Sequence, residues 1–321
     1  MFVSVVLPCY NGASTLPEML DSLVRQTFQG EWELVFVNNG SSDASVDIAM
    51  SYCDRLPVRV VDAYIGTGPG GGVAHSYTAG FGAAKGGLIL TCESDDALAP
   101  DYMERIVQAL ETADFVAPAI DYELLNPPGL TWGKDQGQQS RTAGLPDFAG
   151  PLWLPFASFC AIGMRRTCYE RVGDPSDSMG GGLDVDYCWR VQLAGMKITF
   201  VPDAVAHYRL RHTAKARFRQ AEGWGRTQVS LLLRYGLRPW PRYLAYVLFY
   251  LAKSTLALAL GTISGRRPFA YWTWNVGYAW GQLQSVPLLM RAHARGHKPD
   301  ADILAGRPPA GPQTLIPIPD A

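Results

Sequence analysis

The first two thirds of the chain alternate short apolar runs with segments whose apolar residues recur at helical spacing. The runs VSVVL, WELVFV, PVRVV and LILT each lead into a proline or a polar cluster, as buried β-strands usually do. Leu16, Met19, Leu20 and Leu23 share one face of an intervening helix. Strands that alternate with helices predict an α/β domain with a doubly wound, largely parallel sheet flanked by helices.

The pattern changes after residue 210. Thr213–Arg226 is a basic segment of helical character, Leu244–Ile263 is mostly apolar, and Phe269–Met290 is rich in aromatic residues. The sequence therefore predicts three regions. Residues 1–210 form an α/β domain, and residues 211–298 form a basic and aromatic helical region that associates with a membrane. Residues 299–321 form a flexible Pro/Gly/Ala-rich tail. Tyr122–Trp153 has no clear period and is predicted to be a long loop that borders a substrate site.

The formal net charge of −1 hides a division along the chain. Residues 1–203 carry 12 Lys and Arg against 25 Asp and Glu, whereas residues 205–298 carry 15 Lys and Arg and one acid, Glu222. Because the basic region is also aromatic and apolar, an anionic membrane surface is favoured over nucleic acid as its partner. Three arrangements stay open, namely helices lying in the membrane interface, spanning helices, and packing against the α/β domain or a second subunit. Lys253, near the centre of the apolar stretch, disfavours spanning.

The cysteines and the N-terminus indicate a reducing compartment. Six cysteines without a C-x-x-C pair predict reduced core thiols, not a disulfide framework or a zinc site. The segment MFVSVVLPCYN has neither the basic and apolar regions nor the cleavage site of a signal peptide, so it is predicted to be the first strand of a cytosolic domain.

Three carboxylates follow the predicted fourth strand, in the segment ESDD at Glu93–Asp96. Like charges so close together repel each other and resist burial, so a counter-charge is expected. In open α/β sheets ligands bind at the carboxyl ends of strands, and Mg²⁺ or Mn²⁺ bridges carboxylates to substrate phosphates there. The alternative is a solvated turn in which an aspartate caps the following helix.

A second acidic pair, Asp184 and Asp186, follows three consecutive glycines at the start of a predicted helix. A flexible loop that ends in a carboxylate suits a general base for an incoming hydroxyl group. Helix capping is the alternative for Asp184, and Asp186 is the second candidate for the base.

The order of these features resembles the family 2 glycosyltransferases of the GT-A fold over roughly residues 1–210. The motifs that carry the resemblance are PCYN, NNGSSD, ESDD, GGGLDVDYCWR and VPDAVAH, each at the end of a predicted strand or the start of a predicted helix. ESDD stands where the family has its D-x-D, and LDVD stands where it often has E-D-x-D. Each motif is short, and the order of all five is the specific signal.

The resemblance implies a role for each matching position. The nucleotide-sugar donor would be held by Pro8, Tyr10, Asn11, Asn39, Glu93 and Ser94. Asp95 and His207 would bind Mn²⁺ or Mg²⁺, and Asp184 would be the catalytic base. The implied function is a metal-dependent, inverting transfer of a sugar to a lipid-linked or surface-glycan acceptor at the cytoplasmic face of the membrane, with no nucleic acid as partner.

Two other functions are compatible with parts of the sequence. Gly66, Gly68 and Gly71 form a G-x-G-x-x-G pattern between a strand and a helix, with Glu93 roughly 20 residues further on, which is the spacing of dinucleotide-binding oxidoreductases. A non-catalytic relative that binds a sugar nucleotide at the membrane is the second alternative, because several motif positions depart from the family pattern.

Overall fold

The computed structural model describes residues 1–64, 71–128, 130, 138–148, 151–236, 239–263 and 269–308. Its centre is one eight-stranded sheet with the strand order β3-β2-β1-β4-β7-β6-β8-β5. The strands are β1 Val3–Cys9, β2 Trp32–Asn38, β3 Val58–Asp62, β4 Leu88–Thr91, β5 Ala97–Leu98, β6 Phe115–Asp121, β7 Gly163–Arg165 and β8 Ile198–His207.

The sheet is mixed and mostly parallel, which confirms the predicted α/β fold class. β3, β2, β1 and β4 run parallel, and so do β6 and β8, whereas β7 and β5 pair antiparallel to their neighbours. β1 is buried along its whole length because helices cover both faces of the sheet, as its continuous apolar run predicts. The carboxyl ends of β1, β2 and β4 therefore meet at one edge.

The helices of the α/β domain pack in two layers. They are α1 Leu16–Val24, α2 Ser45–Met50, α3 Gly72–Ala83, α4 Tyr102–Ala109, α5 Arg166–Val172 and α6 Leu183–Leu193. α1, α2 and α4 bury their apolar side chains against one face of the sheet, and α3, α5 and α6 pack on the other. All six cysteines are free and five of them are buried, as predicted.

Three long helices follow the sheet: α7 Ala214–Tyr235, α8 Trp240–Ile263 and α9 Phe269–Ala294. They share a small apolar core that includes Val229, Val247 and Leu289. α7 also packs on the 3₁₀ turn Asp177–Gly182, which precedes α6. The helical region is thus joined to the α/β domain through α7.

Glycines let α7 and α9 approach at backbone distance. A Cβ atom on Gly225 would lie 2.0 Å from the carbonyl oxygen of Tyr278, and one on Gly281 would lie 2.0 Å from that of Glu222. Gly277 and Gly281 form a G-x-x-x-G pattern on α9, which is the spacing that allows close helix packing in membranes.

The first residues of the predicted flexible tail are packed against the protein. The backbone N–H of Asp300 donates to the carbonyl of Arg234 at 2.9 Å, and α10 (Ala301–Leu304) buries Ile303. The Pro/Gly/Ala-rich composition of the tail did not predict this contact, because a single buried isoleucine anchors the segment and one residue does not change the overall composition. Residues 309–321 lie outside the described residues.

The helix contact predicts opposite effects for two neighbouring glycines. Gly225→Ala should destabilise the protein by about 1–3 kcal/mol, because the new methyl group overlaps the α9 backbone. Gly223→Ala, which would have no atom within 4 Å of its Cβ, should be neutral or stabilise by about 0.5–1 kcal/mol. Urea unfolding monitored by circular dichroism measures both. Equal effects at the two positions would contradict the close approach of α7 and α9.

Candidate active site

A pocket opens where β1, β2 and β4 end. The side chains that line it include Pro8, Tyr10, Asn39, Glu93, Ser94 and Asp95, which are six of the predicted donor and metal residues. Val73 and Ser76 of α3 close its opposite wall. Ser76 had drawn notice in the sequence because, with His75, it stands where many family 2 relatives have Arg-Asn, whereas nothing in the sequence singled out Val73.

Asn39 lines this pocket, whereas Asn11 lies outside its lining. The Oδ1 atom of Asn39 is buried without a hydrogen-bond partner in the described structure, so it is free to accept from a ligand. Asn11 does not line the pocket. Its Oδ1 accepts from the backbone N–H of Ser42 at 2.8 Å, and its φ of 50° bends the loop after β1 toward the loop after β2. Asn11, predicted to touch the donor, thus holds two loops together.

The ESDD segment forms a compact acidic group. One carboxylate oxygen from each of Glu93, Asp95 and Asp96 lies within 4.8 Å of the others. Burial and the charge of Asp95 raise the pKa of Glu93 to about 7. Burial and the same charge also raise the pKa of Asp96, whose Oδ1 accepts from the backbone N–H of Arg209 at 2.9 Å. The guanidinium of Arg211 contacts Asp95 Oδ2 at 2.8 Å.

The donor atoms of this group suit a hard divalent cation. Three carboxylate oxygens at this spacing are ligands that Mg²⁺ and Mn²⁺ accept. Burial, and after it the mutual repulsion of the carboxylates, raises the pKa values of Glu93 and Asp96, and a cation would relieve that repulsion. Among the described residues His207 lies outside the group. It pairs with Ala97 across β5 and β8, and its Nδ1 contacts Asp121 Oδ2 at 2.8 Å. A metal-binding role for His207 stays a prediction.

Asp184 lies in the first turn of α6 and lines a second pocket, which shares Glu93 and Val73 with the first. Burial raises the pKa of Asp184 to about 7, which is suitable for a base that must take a proton near neutral pH. Its side chain is not at the N-cap position, which Gly182 occupies, and Asp184 Oδ1 accepts from the backbone N–H of Val185 at 3.0 Å.

Asp186 is fully paired and is no longer a candidate for the base. Its two carboxylate oxygens contact Arg234 at 2.6 Å and Arg190 at 3.0 Å, and the hydroxyl of Tyr235 donates to it at 2.8 Å. Although burial opposes ionisation, the two arginines and Tyr235 hold the pKa of Asp186 below its usual value. Since Arg234 and Tyr235 belong to α7, this network fastens α7 to α6.

The second pocket includes side chains that the sequence did not identify. Gln220 and Trp224 of α7 lie across from Asp184, and Gln138 contributes from the long loop that was predicted to border the site. The glycines before Asp184 are not a loose loop. A Cβ on Gly181 would lie 2.4 Å from Trp224, so the glycine run allows α7 to pack beside the pocket. Gln220 and Trp224 are four residues apart and therefore share one face of a helix, which is the sequence feature that could have indicated their common position.

A doubly wound sheet with a pocket and an acidic group at the ends of its strands is the arrangement that the resemblance to GT-A glycosyltransferases predicts. The sequence matches the family model described as Glycosyl transferase family 2 over residues 4–173. The chain therefore belongs to glycosyltransferase family 2, which confirms the predicted resemblance. The G-x-G-x-x-G pattern lies largely in residues 65–70, outside the described residues, and family membership favours the glycosyltransferase interpretation over an oxidoreductase.

Known proteins resemble the chain over different lengths. An uncharacterized glycosyltransferase of Nostoc (alr2836) is 26% identical over 65% of this chain and 65% of its own length. The undecaprenyl-phosphate 4-deoxy-4-formamido-L-arabinose transferase of Edwardsiella ictaluri is 34% identical over 34% of each chain. The chain thus matches less than two thirds of the length of either relative.

A solved structure shows the same fold. The mannosyltransferase PcManGT of Pyrobaculum calidifontis, in complex with GDP-Man and Mn²⁺, superposes with a TM-score of 0.63 over 88% of this chain and 86% of its own. At 18% sequence identity this likeness concerns the fold alone.

Asp184 and Asp186 should respond oppositely to neutralisation at pH 8. Asp186→Asn leaves two buried arginines short of their partner and should destabilise the protein by about 3–5 kcal/mol. Asp184→Asn removes a charge that resists burial, so it should raise the melting temperature. Because the raised pKa of Asp184 favours the protonated folded state, the wild type loses stability as the pH rises from about 4 to about 7, and the gain of Asp184→Asn should vanish near pH 4.

Thermal unfolding of both variants between pH 4 and pH 8 measures this difference. Destabilisation by both substitutions at pH 8 would contradict the assignment of Asp184 as a buried carboxylate without a charged partner.

Proposed function

We propose that this protein transfers a sugar from a nucleotide-sugar donor to a hydroxyl group of a lipid-linked or surface-glycan acceptor, with inversion at the anomeric carbon and with Mn²⁺ or Mg²⁺ as cofactor. The observation that carries the proposal is a pair of pockets that meet at Glu93, one lined by strand ends and the other by Asp184. A donor and an acceptor need such adjacent sites with a base on the acceptor side.

The first pocket supplies what a nucleotide sugar requires. Tyr10, which is partly exposed, offers an aromatic face for a nucleobase, and the unpartnered Oδ1 of Asn39 accepts from a base N–H or a ribose hydroxyl group. Glu93, Asp95 and Asp96 would hold the metal ion that stabilises the charge on the departing diphosphate. The GDP-Man and Mn²⁺ bound by PcManGT support this use of a similar fold.

The second pocket supplies the acceptor chemistry. Asp184 would take the proton of the acceptor hydroxyl as its oxygen bonds to the anomeric carbon and the bond from that carbon to the diphosphate breaks. A single displacement of this kind inverts the configuration. Trp224 offers an aromatic face on which a sugar ring can stack, and Gln220, whose Oε1 has no hydrogen-bond partner among the described residues, offers an acceptor for its hydroxyls.

The helical region supports a lipid-linked acceptor. Of the described helices, α8 contains one stretch, Trp240–Leu260, that is long and apolar enough to cross a membrane, and three of its 21 residues are buried. Tyr243 and Val247 pack on α9, whereas Phe249, Leu256 and Leu260 are more than half exposed on the outer face. Lys253 is exposed within the same stretch, so α8 is proposed to lie in an anionic membrane interface at the cytoplasmic face. The undecaprenyl-phosphate relative supports such an acceptor.

The proposal predicts metal-dependent release of a nucleoside diphosphate. In a screen of UDP-, GDP- and dTDP-sugars with Mn²⁺, at least one donor should bind and be slowly hydrolysed. Asp184→Asn should lower this turnover by about 10²–10⁴-fold with little change in donor affinity, because only proton transfer is lost. Asp54→Asn, an exposed carboxylate after α2, serves as the control. Failure of every donor to bind with Mn²⁺ would contradict the proposed function.

The exposed face of α8 predicts binding to anionic vesicles. The wild-type protein should sediment with vesicles that contain phosphatidylglycerol, and Phe249→Glu with Leu256→Glu should lower the bound fraction at least about tenfold by placing charges in the apolar layer. Interfacial binding should also weaken at high salt.

Leu124→Glu provides the matched control, because Leu124 is 63% exposed in the segment after β6 of the α/β domain. The alternative result is that the wild-type protein stays in the supernatant and forms a dimer, and that the α8 variant is a monomer. This result would contradict membrane binding and show that the face contacts a second subunit.

A further inference from the structure

The guanidinium of Arg211 forms an ion pair with the acidic group of Glu93, Asp95 and Asp96. Arg211 Nη1 lies 2.8 Å from Asp95 Oδ2, and its positive charge lowers the pKa of Glu93 against the larger effects of burial and Asp95. Arg211 lies four residues after the end of β8 and also lines the second pocket, together with Glu93 and Asp184. It is therefore the counter-charge that three neighbouring carboxylates require.

The neighbouring arginine has a different task. Arg209 turns away from the pocket, pairs with Glu18, and donates from its Nε to the backbone carbonyl of Asp95 at 2.9 Å. Its backbone N–H and that of Leu210 are fixed by Asp96 Oδ1 and Asn126 Oδ1, both at 2.9 Å. The backbone just before Arg211 is thus anchored, whereas the Arg211 side chain is 42% exposed.

A metal ion and Arg211 would compete for the same carboxylate. Oδ2 of Asp95 is part of the group that suits Mn²⁺ or Mg²⁺, and a divalent cation on Asp95 would repel a guanidinium 2.8 Å away. The diphosphate of the donor, at the junction of the two pockets, would then offer Arg211 another anion. A guanidinium binds phosphate oxygens with two parallel hydrogen bonds.

We propose, on the basis of the function proposed above, that Arg211 exchanges partners during the reaction cycle. Without donor it neutralises Asp95, and with donor and metal bound it moves to the diphosphate and stabilises the leaving group. The bond between the anomeric carbon and the diphosphate oxygen breaks with its electron pair on that oxygen, where the charge of Arg211 then acts.

The exchange predicts changes of opposite sign in two binding constants. Arg211→Ala should bind Mn²⁺ about threefold or more tightly in the absence of nucleotide, because a competing cation has been removed. The same variant should bind UDP or GDP, in the presence of saturating Mn²⁺, about ten- to a hundredfold more weakly, which is the range of one charge-assisted hydrogen-bonding group. Isothermal titration calorimetry with Mn²⁺ alone and then with each nucleotide measures both, and circular dichroism verifies the fold.

Arg219→Ala is the matched control, since Arg219 is exposed on α7 and its loss changes the net charge equally. It should leave both constants unchanged. Parallel weakening of Mn²⁺ and nucleotide binding in folded Arg211→Ala, or no change in either, would overturn the exchange while leaving the proposed function intact. A wild-type protein that binds neither Mn²⁺ nor a nucleotide would refute the proposed function itself.

Discussion

The geometry of the candidate site depends on one buried carboxylate. Asp186 joins Arg190 of its own helix to Arg234 and Tyr235 of α7, and all four side chains are nearly excluded from water. An unpaired carboxylate at that depth would be protonated or would draw water between the helices. Fully paired, it fixes α7 against α6. Because α7 carries Trp224 and Gln220, this contact also sets the wall of the pocket that faces Asp184.

Two aspartates on one helical turn thus receive opposite environments. Asp184 and Asp186 differ by two positions, so α6 directs them to different sides, one to the pocket and the other to the contact with α7. Burial without a charged partner raises the pKa of Asp184 to about 7, whereas two arginines lower that of Asp186. The first can exchange a proton near neutral pH, and the second stays charged. The different pKa values of Asp184 and Asp186 therefore follow from their environments, because the residue type is the same.

The sequence predicted the parts of the fold that follow from local pattern. Continuous apolar runs located the central strands, and the rule that ligands bind at strand ends brought Pro8, Asn39 and Asp95 to one pocket. Two things could not be predicted. The pocket residues of α7 depend on a contact between distant segments, and the roles of Asn11 and Asp186 depend on partners that sequence spacing does not reveal.

The division of charge along the chain has an internal explanation as well as an external one. Arg209, Arg211 and Arg234 of the basic region pair with Glu18, Asp95 and Asp186 of the acidic domain, so part of the asymmetry joins the two regions. The outer face of α8 is apolar and exposed within the part of the chain that the structure describes. α7 contacts the pocket on one side and α9 through backbone-distance glycines on the other, and α8 packs on α9. If α8 binds a membrane, these contacts would hold the second pocket in a fixed orientation relative to that membrane. An acceptor confined to the membrane requires such a fixed orientation to reach the pocket.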